Sequence, residues 1–166
     1  MLWVDDMDIP EGANVVIEQG KIKIAGKMGE VERALPKSVS IKKNGNALEI
    51  SGDTKAMINT FEAHIKNAFL GVTQGYKIKM KSIHAHFPIS VEVKGKDIAI
   101  KNFLGEKQSR KTKIVGNTKM EVKGQELTLS GPDKDAIGST ISNIRTATKI
   151  RDKDGRVFQD GFYIVE

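Results

Sequence analysis

The sequence predicts an α+β fold of two tandem homologous domains, each an antiparallel β-sheet unit with one packed α-helix. The first observation is an internal repeat: residues 45–68 match the residues 79 positions later, with eight identities in 24 positions and no gap. The second is that each copy contains short alternating segments followed by one amphipathic segment, an order typical of α+β domains. We therefore expect a first repeat domain at residues 1–82 and a second at residues 83–166.

Two hairpins are predicted in each copy, from alternation of apolar and polar residues around glycine-containing turns. In the first copy they span residues 15–25, turning at Gln19–Gly20, and residues 39–51, turning at 43–46. In the second copy they span residues 89–100, turning at 94–97, and residues 118–130, turning at 123–125. The shared order of elements indicates that one scaffold occurs twice.

A helix is predicted after the second hairpin of each copy. Gly52–Thr54 offers a cap for the first helix, and Gly131–Asp133 opens the second. Apolar residues then recur at helical spacing, which gives each helix one apolar face that must lie on the neighbouring strands. These residues are Met57, Ile58, Phe61, Ile65 and Phe69 in the first helix and Ile137, Ile141, Ile144 and Ala147 in the second.

A strand is predicted to close each copy, at residues 75–80 and 161–165. Pairing Gly75 with Gly161 changes the offset between the copies from 79 to 86, so seven residues are added before the last strand of the second copy. The first copy lacks this insertion, which lies within residues 148–160. Because the scaffold does not need the insertion to fold, we regard it as a functional candidate.

The insertion is rich in residue types that contact RNA. Its basic residues can neutralise phosphates, and its aromatic residue can stack on an unpaired base. The alternative is a tolerated surface insertion in which Asp152, Asp154 and Asp160 neutralise much of the charge. The candidate RNA-binding residues are Lys149, Arg151, Lys153, Arg156 and Phe158.

A second basic cluster lies earlier in the same copy. It consists of Lys107, Arg110, Lys111 and Lys113, and its counterpart in the first copy, roughly residues 31–37, is much less basic. We add these four residues to the RNA-binding candidates. The alternative is a solvated loop without a partner.

Net charge follows the same division between the copies. Residues 1–78 hold 10 Lys and Arg against 10 Asp and Glu, whereas residues 79–166 hold 17 against 11. The whole net charge of +6 therefore belongs to the second half. A basic surface favours an anionic partner, with nucleic acid first, although a lysine-rich solvent-exposed surface has the same composition.

Residue types that would support other functions are missing or badly spaced. There is no cysteine, and the chain contains no phosphate loop and no catalytic constellation. We therefore expect no enzyme, no metal or other cofactor and no small-molecule substrate. No run of apolar residues is long enough to span a membrane. Residues 1–8 lack the basic region followed by an apolar region that is typical of a signal peptide. We expect a cytoplasmic protein without a membrane partner, monomeric in isolation.

Three segments resemble a known family. They are Ala85–Ile89, Asn102–Lys107 and Arg156–Ile164, and they closely resemble the archaeal and eukaryotic branch of large-subunit ribosomal protein six, the universal L-six family. The resemblance covers essentially the whole chain, including the duplication. The family usually has Gln at the position of Thr146 and a smaller aliphatic residue at Phe162, which makes Thr146 a poor candidate for a required contact.

The resemblance implies a structural constituent of the large ribosomal subunit that binds large-subunit rRNA mainly through its C-terminal domain. It also implies a location near the sarcin–ricin loop and the translation-factor binding region, with neighbouring ribosomal proteins as further partners. The matching positions of the family's C-terminal motif are Lys153, Arg156, Phe158, Asp160, Gly161 and Tyr163.

Within these motifs we expect packing roles for Phe103 and Leu104 and a turn at Gly105. We expect Asp160 to order the loop rather than touch RNA. Tyr163 completes the RNA-binding candidates, although burial with a paired hydroxyl is an equal alternative. The alternative function is a two-domain protein-interaction adaptor for acidic partners, which has no need to confine its basic residues to one copy.

Overall fold

The computed structural model describes residues 3–18 and 20–165, so the predicted turn residue Gln19 lies outside the described residues, as do Met1 and Leu2. A short 3-10 turn spans Phe103–Gly105. The elements in chain order are β1 (Trp3–Asp8), β2 (Asn14–Glu18), β3 (Lys21–Gly26), β4 (Gly29–Ala34), β5 (Val39–Asn44), β6 (Ala47–Gly52), α1 (Lys55–Thr73), β7 (Tyr76–Ile83), β8 (Ser90–Lys94), β9 (Asp97–Lys101), β10 (Arg110–Lys113), β11 (Lys119–Lys123), β12 (Glu126–Gly131), α2 (Lys134–Ala147) and β13 (Gly161–Val165).

The predicted α+β class with antiparallel sheets is confirmed. The chain divides into two compact units. The first contains the residues up to Tyr76 together with Pro132–Lys134, and the second contains Lys77–Gly131 and the residues from Asp135 onward.

In the first unit, α1 packs on two three-stranded sheets, β2–β3–β4 and β1–β6–β5. Alternation along the strands turns Ile22, Ile24, Leu48 and Ile50 inward, where all four are fully buried. Burial of each such side chain stabilises the fold by roughly 1.5–3 kcal/mol, so the apolar pattern determines which face of each strand points outward.

The predicted start of α1 is confirmed by its cap. The hydroxyl oxygen of Thr54 accepts a hydrogen bond from the backbone N–H of Met57 at 3.4 Å. Such a cap satisfies one of the N–H groups that the first helical turn leaves without a partner.

The second unit repeats this arrangement with one strand added. Its sheets are β8–β9–β10 and the four-stranded β11–β12–β7–β13. Residues 79 positions apart in the repeat occupy the same core positions, because each is no more than 2% exposed. These pairs are Leu48 and Leu127, Ile50 and Leu129, Ile58 and Ile137, and Ile65 and Ile144.

The prediction that the strand at residues 75–80 closes the first repeat is wrong. β7 lies in the four-stranded sheet of the second unit, between β12 and β13, with Met80 opposite Ile164. The alternation of side chains identified a strand but not its neighbours, because strands pair through backbone hydrogen bonds, which do not depend on side-chain alternation.

β7 is the counterpart of β1 rather than of β13. The backbone N–H of Ile9, directly after β1, donates to the carbonyl of Asn46 at 2.9 Å, and that of Ser82 in β7 donates to the carbonyl of Gln125 at 2.8 Å. Asn46 and Gln125 are 79 positions apart in the repeat, so Ile9 corresponds to Ser82. β7 therefore opens the second copy, and β13 is an additional strand.

The seven-residue insertion was inferred by pairing Gly75 with Gly161, and the structure shows that these two glycines are not equivalent. The two glycines introduce neighbouring strands of one sheet, not equivalent strands of two sheets. The second copy instead continues from Thr148 to Val165 with irregular chain and β13, whereas the first copy passes from α1 almost directly into β7. The feature that distinguishes the second copy is thus larger than the sequence indicated.

Replacing Phe162 by Ala should destabilise the second unit by about 3–5 kcal/mol, because the ring anchors β13 in the core and is 3% exposed. The matched control is Ile164→Ala on the same strand, where the side chain is 54% exposed. We expect this control to change stability by about 0.5 kcal/mol or less. Urea unfolding measures both, and equal losses would show that β13 does not dock through Phe162.

Candidate nucleic-acid interface

A strained turn at Asn102–Gly105 joins the motif segments of the second unit. Asn102 and Leu104 both adopt left-handed backbone conformations, with φ of 58° and 53°, and Gly105 follows at 78°. A left-handed conformation costs a residue with a Cβ about 1 kcal/mol or more. Contacts around the turn must therefore offset this strain.

Contacts from the motif that precedes β8 hold this turn in place. The side-chain amide of Asn102 donates to the carbonyl of Pro88 at 3.1 Å, and Phe103 is buried in the core. The ring of Phe87 lies against Gly105 and would be only 3.1 Å from an added Cβ. The packing role predicted for Phe103 and the turn predicted at Gly105 are confirmed, and Leu104 is half-buried.

Arg110 fastens this turn to the end of α2. Its guanidinium carbon lies 4.5 Å from the centroid of the Phe103 ring. Nε and Nη2 donate to the two carboxylate oxygens of Glu106 at 2.8 and 2.5 Å, which makes a bidentate ion pair. Nη1 donates to the carbonyls of Ala147 and Lys149 at 2.9 and 3.3 Å. Because these contacts engage the guanidinium, we interpret Arg110 as a positioning residue, and its role as an RNA contact stays a prediction.

This ion pair also shifts the titration of both partners. The hydrogen bonds from Arg110 lower the pKa of Glu106 below its ordinary value of 4.5, and the charges of Arg110 and Lys153 act in the same direction. The hydrogen bonds with Glu106 raise the pKa of Arg110. The influence of Lys153 indicates that residues 148–160, hereafter the C-terminal loop, come close to the 102–105 turn.

Asp154 shapes the C-terminal loop. Its carboxylate accepts a hydrogen bond from the backbone N–H of Arg156 at 2.9 Å, and its carbonyl accepts from those of Val157 and Phe158 at 3.1 and 2.9 Å. Such local bonds are typical of aspartate in turns. Asp154 is therefore part of the loop's architecture as well as a compensating charge.

Basic side chains project from the C-terminal loop. The ammonium group of Lys153 lies 4.5 Å from the centroid of the half-buried Phe158 ring, which is a cation–π contact. Lys149, Arg151 and Arg156 are exposed, and their side chains form no ion pair within the described part of the chain. These three charges are available to an anion.

Tyr163 joins the C-terminal loop to β13. Its hydroxyl donates to the carbonyl of Gln159 at 3.0 Å, and its ring lies over Gly161. The ring is 44% exposed, so the hydroxyl is paired as one alternative expected, but the side chain is not buried. Asp160 is buried, which suits the ordering role expected for it.

Lys111 and Lys113 belong to a different surface, the outer face of the sheet β8–β9–β10. Lys111 lies opposite Ala99 and Lys113 opposite Asp97, and the small side chain of Ala99 leaves the centre of the face open. The resulting groove has a volume of about 620 Å³. Lys94 also contributes to it, and Lys94, Lys111 and Lys113 form no ion pair among the residues that the structure describes.

The equivalent face of β2–β3–β4 in the first unit is neutralised. Lys23 occupies the position of Ala99, and it pairs with Glu18 at 3.0 Å while Lys21 pairs with Glu32 at 2.6 Å. This face carries three acids, Glu18, Glu30 and Glu32, against two lysines. Its counterpart carries four lysines, Lys94, Lys101, Lys111 and Lys113, against Glu92 and Asp97.

The predicted site residues therefore fall into two groups and two single positions. Lys149, Arg151, Lys153, Arg156, Phe158 and Tyr163 surround the C-terminal loop, and Lys111 and Lys113 line the groove; Lys107 is exposed beyond the turn, and Arg110 faces inward. The prediction missed Lys94 and Lys101. Their alternation with apolar residues along the second hairpin of that copy could have assigned them to the outer face.

Comparison with known proteins decides the family. The sequence model of the family described as ribosomal protein L6 matches residues 9–75 and 87–161.

The chain belongs to this family.

Relatives of this family align along nearly its whole length. The large ribosomal subunit protein uL6 of Methanosarcina mazei is 41% identical over 166 residues, which is 96% of this chain and 94% of that protein. The uL6 proteins of Haloarcula marismortui and Sulfurisphaera tokodaii are 42% and 40% identical, each over 96% of this chain and over 93% and 90% of their own length. The expected resemblance to the archaeal branch is thus confirmed.

Neither described helix is long and apolar enough to span a membrane. Among residues 3–18 and 20–165, no group of three His, Asp or Glu side chains is arranged to hold a metal ion.

Gly105→Ala should destabilise the second unit more than Gly95→Ala. Both glycines have positive φ, 78° and 62°, so both substitutions carry a backbone cost of about 1 kcal/mol. Only at position 105 does the new methyl group meet a neighbour, the Phe87 ring at 3.1 Å, since nothing lies within 4 Å at Gly95. We expect a further loss of about 1 kcal/mol at Gly105 in urea unfolding. Equal losses would mean that Phe87 moves aside freely.

Glu106→Gln should lower stability at neutral pH by up to about 1 kcal/mol, because the bidentate pair is partly exposed to solvent. The lowered pKa means that the carboxylate's contribution is complete above its ordinary value of 4.5 and is lost as the pH falls through the lower folded value. The stability difference from wild type should therefore shrink below pH 4.5. Urea unfolding at neutral and acidic pH checks this, with the exposed Glu126→Gln as control. A difference that stays constant on acidification would contradict the ion-pair account.

Proposed function

We propose that this protein is a structural constituent of the large ribosomal subunit and that it binds large-subunit rRNA mainly through the second unit, which includes most of the predicted second domain, residues 83–166. Membership of the ribosomal protein L6 family and the names of the uL6 relatives support the first part. The resemblance described above supports a position near the sarcin–ricin loop and the translation-factor binding region. The role is non-catalytic, and the protein acts in the cytoplasm on the ribosome.

The observation that carries the RNA-binding part is the charge difference between equivalent faces of one scaffold. In the first unit the lysines of the three-stranded face are paired with glutamates, whereas in the second unit three lysines of that face form no ion pair in the described chain. The core is the same in both units, so folding does not require the unpaired lysines. A polyanionic partner accounts for them.

Recognition would proceed through phosphates and RNA shape rather than base sequence. Lys111 and Lys113 in the groove and Arg151 and Arg156 in the C-terminal loop neutralise phosphates, and Lys107 adds a charge near the turn. The Phe158 ring can stack on an unpaired base through the face opposite Lys153. Arg110 contributes indirectly, because it ties the turn before β10 to the chain that enters the loop.

The first unit, which accounts for most of the predicted first domain, residues 1–82, would then act as a spacer or as a surface for neighbouring ribosomal proteins. Its three-stranded outer face has little free positive charge, which suits a protein neighbour better than RNA. A protein-interaction adaptor for acidic partners explains the family membership less well. We propose that the protein is a monomer off the ribosome and takes no small-molecule substrate.

Binding to transcribed archaeal large-subunit rRNA should weaken steeply with salt. With about six phosphates neutralised, affinity should fall roughly a thousandfold between about 50 and 200 mM salt. Filter binding across this range measures the slope, and a flat response would contradict phosphate neutralisation.

The double variant Arg151→Ala with Arg156→Ala should reduce the salt slope by about 2 and leave folding intact, because both side chains are exposed and unpaired in the described chain. The matched control is Lys27→Ala with Lys42→Ala, two exposed lysines of the first unit. Equal effects of the two double variants would overturn the assignment of RNA binding to the second unit. Crosslinks that map only to the first unit would do the same.

A further inference from the structure

The outer face of the four-stranded sheet β11–β12–β7–β13 is a third basic surface, distinct from the groove and adjoining the C-terminal loop at Tyr163. Met80 and Ser82 of β7 are buried, so Lys79 and Lys81 point outward on the opposite face. Two residues along a strand span about 7 Å, so Lys79 and Lys81 are neighbours on this face. Lys81 lies opposite Tyr163 on β13.

β11 adds two lysines to the same face. Leu127 and Leu129 of β12 point into the core, so the register places Lys119 opposite the outward-facing Ser130 and Lys123 opposite the outward-facing Glu126. Glu121 of β11 lies on the same face, between the two lysines. We call Lys79, Lys81, Lys119, Lys123 and Tyr163 together the lysine face. Within the described chain none of its four lysines forms an ion pair.

The four lysines of this face outnumber its two acids, Glu121 and Glu126, so the excess of positive charge costs stability without an anion. The first unit carries the opposite charge at two of the equivalent positions. From the correspondence of Ile9 with Ser82, Asp6 and Asp8 occupy the positions of Lys79 and Lys81. The scaffold therefore accepts acids at these positions, and packing does not explain the lysines.

The lysine face is continuous with the C-terminal loop. The hydroxyl of Tyr163 is bonded to Gln159 of the loop, while the ring remains 44% exposed beside Lys81. An RNA segment held by the loop could thus extend across the sheet without leaving basic surface.

We propose that the lysine face is a third rRNA-binding surface, which holds the backbone phosphates of the RNA segment that continues from the C-terminal loop. This inference rests on the proposed function. Lysine ammonium groups act as point charges on phosphates, so the surface contributes affinity and orientation but no base specificity. Tyr163 supplies a ring face on which a base can stack.

The test compares the double variant Lys79→Gln with Lys81→Gln against wild type, in filter binding to transcribed archaeal large-subunit rRNA. Loss of two phosphate contacts should lower the slope of affinity against salt by about 2 and reduce affinity about tenfold near 0.1 M salt. The control is Lys27→Gln with Lys42→Gln in the first unit, which should leave both quantities unchanged. Urea unfolding of each variant verifies that the fold is intact.

An unchanged salt slope and affinity for Lys79→Gln with Lys81→Gln would overturn the lysine face as an RNA surface. If Arg151→Ala with Arg156→Ala still weakens binding in that case, the proposed function stands; if neither double variant has an effect, both fail. A variant that binds rRNA like wild type but does not enter reconstituted subunits would assign the face to an acidic protein instead, and would also overturn the proposal.

Discussion

The basic surface of the second unit depends on the position of one guanidinium group that faces inward. Arg110 stacks on Phe103, forms a bidentate ion pair with Glu106 and donates hydrogen bonds to carbonyls at the end of α2. These contacts stabilise a turn that contains two left-handed residues with side chains, and they fix the chain where the C-terminal loop begins. Lysine could not replace it, because an ammonium group lacks the planar fork that satisfies a carboxylate and carbonyls together.

The duplication separates what the fold requires from what it tolerates. Aliphatic residues recur in the core at the spacing of the repeat and remain buried in both units. The outer faces of both kinds of sheet differ in the sign of their charge, with Glu32 against Lys111 on one and Asp8 against Lys81 on the other. Core packing constrains volume closely, whereas an exposed strand position accepts either charge at small cost. Surface chemistry could therefore diverge while the scaffold was kept.

Much of the fold could be predicted because it follows from local pattern. The hairpins, both helices, the cap at Thr54 and the turn at Gly105 depend on alternation, helical spacing and glycine conformation, which neighbouring residues determine. The partner of β7 depends on backbone hydrogen bonds with strands far away in the chain, which no periodicity records. The pattern likewise did not separate Arg110, whose contacts come from the end of α2, from the outward-facing Lys111 beside it.

The place of β13 in the sheet has a consequence for biosynthesis. The C-terminal loop is anchored at its start by α2 and at its end by β13, and β13 is held by pairing with β7, which is made much earlier. During translation, β7 must wait for Val165 to be synthesised before this pairing is complete. The loop acquires two fixed ends only then, so a growing chain presents the basic residues of the loop on a segment anchored at one end until β13 has docked.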